Sequence, residues 1–272
     1  MIHVPPARYI LPNLFTLSAS FCGFAAIWMS SQATSGEHFY AAASLICLAV
    51  FLDGFDGRIA RWVDGQSKFG VQLDSLSDFL TFGVAPGIMV YAWGLHTLGV
   101  VGLLAAFTLA AAAAIRLARF NVEAETTGGS SRYFTGLPAP MGGLGVALLV
   151  GVNSGILGRV EMVESAKPSL ALFVVLVALL EVSVVPFRTF KDLRPTLRNR
   201  FVIACILAAT VVISISVDYM VALAVGLLGY LAYNVTGGVI GVARNARARV
   251  SRDGTLVDDE EEWDDDDWSV GP

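Results

Sequence analysis

The sequence predicts an all-α polytopic membrane protein with about eight transmembrane helices and an active site that faces the cytoplasm. Two observations carry the fold class. Of the 272 residues, 55% are apolar and only 15% charged, where a water-soluble domain carries about a quarter charged residues. The apolar residues also fall into repeated stretches of roughly 20, the length that a ~30 Å hydrocarbon core requires of a helix. Eight such stretches follow one another at residues 9–30, 38–60, 72–94, 97–119, 139–157, 169–187, 200–217 and 219–242. The first is too long for a signal-peptide core and has no small-residue cleavage site, so it reads as a permanent span. The links at Gly94 to Thr97 and Val217 to Tyr219 are short enough to force tight helical hairpins. Pro12, Pro86, Pro138, Pro140 and Pro186 fall near or inside spans, where neighbouring helices re-satisfy the freed carbonyls. Cys22, Cys47 and Cys205 all lie within apolar stretches, without CxxC or Cys/His spacing. They read as small buried hydrophobes, not as disulfides or a zinc site.

Orientation follows from the cations. With the N-terminus inside, 16 of the 18 Lys and Arg residues fall on cytoplasmic segments, and only Arg159 and Lys167 fall outside. Cytoplasmic segments of membrane proteins carry this excess. The expected location is therefore the cell (inner) membrane, multi-pass, with both termini inside. The formal net charge of −5 conceals two regions, because nine of the 23 acids lie between Asp258 and Asp267 and leave 14 acids against 18 bases elsewhere. Residues 1–250 read as one membrane-embedded domain. Residues 251–272 read as a disordered acidic tail, since a like-charge block without apolar periodicity cannot support a core. Membrane lipid is an expected partner; nucleic acid is not.

The second and third spans hold the chemistry. The sequence runs Phe51-Leu-Asp-Gly-Phe-Asp-Gly-Arg-Ile-Ala-Arg61 and resumes at Gly70-Val-Gln-Leu-Asp-Ser-Leu-Ser-Asp78. Asp53, Asp56, Gly57, Ala60 and Arg61 share one helical face, and so do Gly70, Asp74 and Asp78. Two antiparallel helices joined by a short turn would point four carboxylates at one another. Such charges repel unless cations lie between them, and oxygen-only ligands favour hard ions, Mg²⁺ or Mn²⁺. Salt bridges to Arg58, Arg61 and Lys68 explain one or two interfacial acids. They explain poorly four acids on two facing ladders, with Gly and Ala clearing the space between.

The pattern D-x2-D-G-x2-A-R-x8-G-x3-D-x3-D is matched at every fixed position from Asp53 to Asp78. It resembles the CDP-alcohol phosphatidyltransferases, membrane enzymes that build phospholipids from CDP-activated donors. The resemblance implies that Asp53, Asp56, Asp74 and Asp78 hold two metal ions. It further implies that Gly57, Ala60, Arg61 and Gly70, with Asn13 from the first span, border the CDP moiety. Asp78 would also serve as general base, and a homodimer is expected.

Further segments narrow the resemblance. Leu11-Pro-Asn-Leu-Phe-Thr16, Phe82-Gly-Val-Ala-Pro86, Arg116-Leu-Ala-Arg-Phe-Asn121 and Thr135-Gly-Leu-Pro-Ala-Pro140 are similar to those of membrane-embedded phosphatidylserine synthases. The expected substrates are then CDP-diacylglycerol and L-serine. Phe79 follows the last aspartate, where family members with phosphorylated acceptors tend to carry a cation, so the acceptor should bear no phosphate. Arg116, Arg119 and Asn121 are candidates for binding serine or the donor phosphates; the competing explanation is cytoplasmic anchoring by arginines at a span end. Arg132 is a weaker candidate. Thr16, Ser75 and Ser77 read as capping or packing residues, and Glu181 as the partner of a basic loop residue. A phosphatidylcholine synthase is the nearest alternative, and a polytopic transporter accounts for the hydropathy but not for the motif.

Overall fold

The computed structural model describes residues 7–65, 67–127, 133–183, 186–188, 210 and 214–232. Helices dominate: α1 (Ala7–Ser31), α2 (Gly36–Trp62), α3 (Lys68–Leu98), α4 (Val100–Thr127), α5 (Ala139–Ile156), α6 (Lys167–Val182) and the shorter α7 (Tyr219–Ala232). Among the described residues six helices are long and apolar enough to cross a membrane, which makes the chain a multi-pass membrane protein. These six correspond to the first six expected stretches. Of the last two, 200–217 lies largely outside the described residues, and only the first part of 219–242 is described. The segment 251–272 also lies outside them, as does Arg132.

α3 is the central helix. Its apolar stretch is 61% buried, more than that of any other described span, and it touches α1, α2, α4 and α5. α1 packs along α2, α2 against α5, and α4 against α6. Close approach depends on small residues, as is usual where lipid removes any hydrophobic drive between helices. A Cβ on Gly23 would stand 2.7 Å from Thr81 Oγ1, and one on Gly83 would stand 2.9 Å from the Ala113 Cβ. Ala42, Ala43, Ile46, Phe82, Met89 and Trp93 are buried at the centre. Phe21, Phe24, Trp28, Leu104 and Phe107 point outward, as lipid-facing residues should.

Three local features depart from the sequence expectation. α3 is not a plain α-helix, since π turns occupy Phe79–Val84 and Tyr91–Leu95. These carry it to Leu98, and the hairpin turn falls on Gly99 at φ 59°, a backbone that glycine adopts without strain. The sixth span, expected at 169–187, ends at Val182. Ser183 is already extended at ψ 160°, consistent with Pro186, which lacks an N–H and cannot continue a helix. Beyond it, β2 (Pro186–Arg188) pairs antiparallel with β1 (Tyr133–Thr135), Phe134 opposite Phe187. This small ribbon adds strand to a chain expected to be wholly helical.

Candidate metal and nucleotide site

The turn between α2 and α3 sets the register of the two acidic ladders. Asp64 adopts φ 48°, and Gly65 N–H donates to the Ala60 carbonyl at 2.8 Å. A left-handed residue followed by this bond is the Schellman way of closing a helix. Ser67 then caps α3, its hydroxyl accepting from Gly70 N–H at 2.9 Å. Such a cap satisfies one of the donors that a helix start leaves free. The second ladder therefore begins a fixed distance from the end of the first.

The aspartates converge. Asp53, Asp56 and Asp74 each place a carboxylate oxygen within 4.8 Å of the others. Asp78 joins them electrostatically, interacting with Asp53, Asp74 and Asp56. Asp74 Oδ1 is buried without a hydrogen-bond partner. Clustered carboxylate oxygens, one of them unsatisfied, fit a hard divalent cation.

A residue passed over in the sequence supports this cluster. Thr16, 4% exposed, donates to Asp56 Oδ2 at 2.8 Å. α1 is held in place by a polar seam in which Ser77 Oγ donates to the Thr16 carbonyl at 3.0 Å and Ser20 Oγ to Ser77 Oγ at 2.8 Å. The available signal was the i, i+3 spacing of Asn13 and Thr16, which puts both on one face of α1.

Beside the acids lies a cavity of about 530 Å³, within the ~300–1,000 Å³ typical of small-molecule sites. Asn13, Gly57, Ala60, Arg61 and Gly70 all line it, together with Asp56, Asp74 and Thr16. The five residues that the resemblance placed around CDP therefore meet at one space. Gly57 has no atom within 4 Å of where a Cβ would stand, so its missing side chain leaves open room. Arg61 is steadied by its Nε donating to the Gly57 carbonyl at 3.1 Å.

The other candidates separate. Asn121 Nδ2 donates to Ser75 Oγ at 3.0 Å, one residue from Asp74. Arg119 donates to the Val182 carbonyl at 3.2 Å and pairs with Glu123 at 3.8 Å. Arg116 is buried and interacts electrostatically with Asp78 and Glu181. Among the described residues Glu181 pairs with no loop cation. It is fully buried, without a hydrogen-bond partner, and interacts electrostatically with Arg116 of the adjacent α4.

The profile of the family described as CDP-alcohol phosphatidyltransferase matches residues 9–180, which contain the four aspartates and every residue lining the cavity beside them. The chain belongs to that family. It is 35% identical over 191 residues to the CDP-diacylglycerol–serine O-phosphatidyltransferase of Helicobacter pylori, covering 70% of this chain and 76% of that protein. Similarity extends to proteins of the same name from Bacillus subtilis and Saccharomyces cerevisiae. The former is 34% identical over 139 residues, covering 51% of this chain and 74% of that one. The latter is 38% identical over 138 residues, 48% and 49%.

Proposed function

We propose that this phosphatidyltransferase moves the phosphatidyl group of CDP-diacylglycerol onto the hydroxyl of L-serine, giving phosphatidylserine and CMP. The observation that carries the reading is the junction of the acidic cluster with the cavity lined by Asn13, Gly57, Ala60, Arg61 and Gly70. The names of the relatives from Helicobacter pylori and Bacillus subtilis supply the acceptor.

In the reaction, Asp78 takes the serine hydroxyl proton as the oxygen attacks phosphorus and the bond to the CMP oxygen breaks. A carboxylate within hydrogen-bond reach of an alcohol contributes about 10²–10⁴-fold in this role. Asp53, Asp56, Asp74 and Asp78 would hold two ions, Mg²⁺ or Mn²⁺. When bound, these neutralise the pyrophosphate and stabilise the leaving group. Arg61 offers a guanidinium to the donor phosphates, and Gly57 and Gly70 let the nucleotide approach the backbone. Direct displacement is favoured over a covalent intermediate, because the motif serines are committed elsewhere. Ser67 caps α3, Ser75 donates to the Val71 carbonyl and Ser77 to the Thr16 carbonyl.

A mostly apolar cavity of about 390 Å³ lined by Val50, Phe51, Phe55, Leu144 and Leu223, together with Gly54 and Arg58, suits the donor's acyl chains. Its Gly54 neighbours Asp53 in sequence. The cation asymmetry supports a site open to the cytoplasm in the inner membrane, and family resemblance supports a homodimer.

The test is CMP release by the purified full-length protein, given CDP-diacylglycerol and, separately, serine, choline, inositol and glycerol 3-phosphate. Release with serine alone is expected. Equal turnover with choline would overturn the acceptor assignment.

A further inference from the structure

Two charged side chains near the acidic cluster lack the partners that burial normally demands. Glu181, close to the end of α6, is 0% exposed, and neither carboxylate oxygen has a hydrogen-bond partner. Arg116 on α4 is 8% exposed, and its Nε has none either. The two feel each other electrostatically, yet no ion pair between them occurs among the described residues. An ionised group held this way is strongly disfavoured unless something else completes its surroundings.

Their placement ties them to the reacting centre. Gly142 on α5 leaves a notch for the Glu181 carboxylate, since a Cβ there would collide with its Oε1. The adjacent Gly143 packs against the backbone of Phe82, one helical turn beyond Asp78. Arg116 approaches from α4 and interacts with both Asp78 and Glu181. Arg119 and Asn121, by contrast, already have hydrogen-bond partners on α6 and α3. Of the three α4 residues Arg116, Arg119 and Asn121, Arg116 is the one with a buried N–H left unsatisfied.

We propose that Arg116 and Glu181 form the acceptor subsite for a small zwitterion. The guanidinium receives the carboxylate, Glu181 receives the ammonium, and the hydroxyl points toward Asp78. This rests on the phosphatidylserine synthase reading and names the residues that select serine within it. A guanidinium matches a carboxylate bidentately. An acceptor without the ammonium would leave Glu181 buried and unpaired beside the ligand's negative charge. One without the carboxylate would do the same to Arg116. Sites built on buried polar partners reject analogues that lack the matching group far more strongly than apolar pockets do.

The experiment uses the full-length protein in lipid nanodiscs with CDP-diacylglycerol and Mn²⁺ or Mg²⁺. CMP release is measured with L-serine, and 3-hydroxypropionate (no ammonium) and ethanolamine (no carboxylate) are tested as competitors. In the natural protein each half-analogue should compete at least ~100-fold less well than serine. Glu181→Gln should raise the serine KM at least ~10-fold, leave the donor KM within about twofold, and shrink the preference for serine over 3-hydroxypropionate to under ~10-fold. Glu181→Asp should fall between. An unchanged serine to 3-hydroxypropionate ratio in Glu181→Gln would overturn the subsite while leaving the reaction intact. Strong competition by 3-hydroxypropionate in the natural protein would do so without any variant. Absence of turnover with serine, but not with another acceptor, would remove the reaction reading itself and the subsite with it.

Discussion

Charge is handled in opposite ways at the two ends of α3. Asp74 and Asp78 lie near its start, and His96 near its finish, about 27 Å away at the helical rise. At the far end, Lys167 is buried to 2% side-chain exposure, yet its ammonium donates to Glu161 at 2.7 Å and also to Glu164. His96 adds a contact to Glu161 at 3.7 Å. That buried cation has its partners, and the cluster pins the start of α6 to the α3–α4 corner. At the near end four carboxylates face one another, Asp74 Oδ1 lacks a partner, and Arg116 and Glu181 lack theirs. Burying an uncompensated charge costs several kcal/mol, so a fold retains one where a ligand completes it. The contrast separates a clasp from a site.

The largest effects should come from the uncompensated end. Asp78→Asn removes the proposed base and one proposed metal ligand, and turnover should fall about 10²–10⁴-fold. Its thermal midpoint should hold or rise, because one member of a repelling set loses its charge. Excess chelator should abolish CMP release, and added Mg²⁺ or Mn²⁺ should restore it. Undiminished turnover in Asp78→Asn would remove the base assignment, and full activity in chelator would remove the metal site.

How much of this was legible in the sequence depended on the kind of contact involved. Helical periodicity reports which residues share a face, so Asp53 with Asp56, Asp74 with Asp78, and Gly57 with Ala60 and Arg61 could be grouped before any fold was known. A family pattern then joined the two faces and added Asn13 and Gly70, which line the same cavity. Periodicity does not report what lies across a helix interface. Thr16 looked like a cap until α1 was seen lying against α2 with its hydroxyl on Asp56. Glu181 looked like the partner of a loop cation because no sequence rule links it to Gly142 and Arg116, 39 and 65 positions earlier. The π turn after Asp78 was equally hidden, since it reflects packing against α4 and α5 and not propensity; such turns often sit beside functional residues. The β1–β2 ribbon joins segments about 50 residues apart, a pairing that hydropathy cannot signal.

An intermediate effect is expected at the support of the acidic cluster. Thr16→Val keeps the shape of the side chain and deletes the hydrogen bond to Asp56. Groups that orient metal ligands are worth about 10–100-fold in metal affinity. The concentration of Mn²⁺ or Mg²⁺ giving half-maximal activity should therefore rise about tenfold, with saturated turnover nearly preserved. Thr16→Ser should restore the natural value. A uniform loss of turnover and thermal midpoint, without a shift in metal requirement, would instead make Thr16 a packing residue between α1 and α2.

The smallest effect belongs to the clasp. Glu161 lies outside the spans, and its carboxyl is held below the usual glutamate value by the Lys167 hydrogen bond, then by the charges of Lys167 and His96. A carboxylate with a depressed folded-state pKa contributes stability above its unfolded pKa and loses it as the pH falls through the folded one. Glu161 is half exposed and Glu164 remains to hold Lys167, so solvent screening keeps the contribution small. Glu161→Gln should lower the thermal midpoint slightly at neutral pH, and the difference from the natural protein should vanish as the pH drops below the ordinary glutamate range. Serine and donor KM values should not move, because the clasp lies about 27 Å from the acids along α3. A change in either KM would mean that the two ends of α3 are coupled, and the division between clasp and site would have to be redrawn.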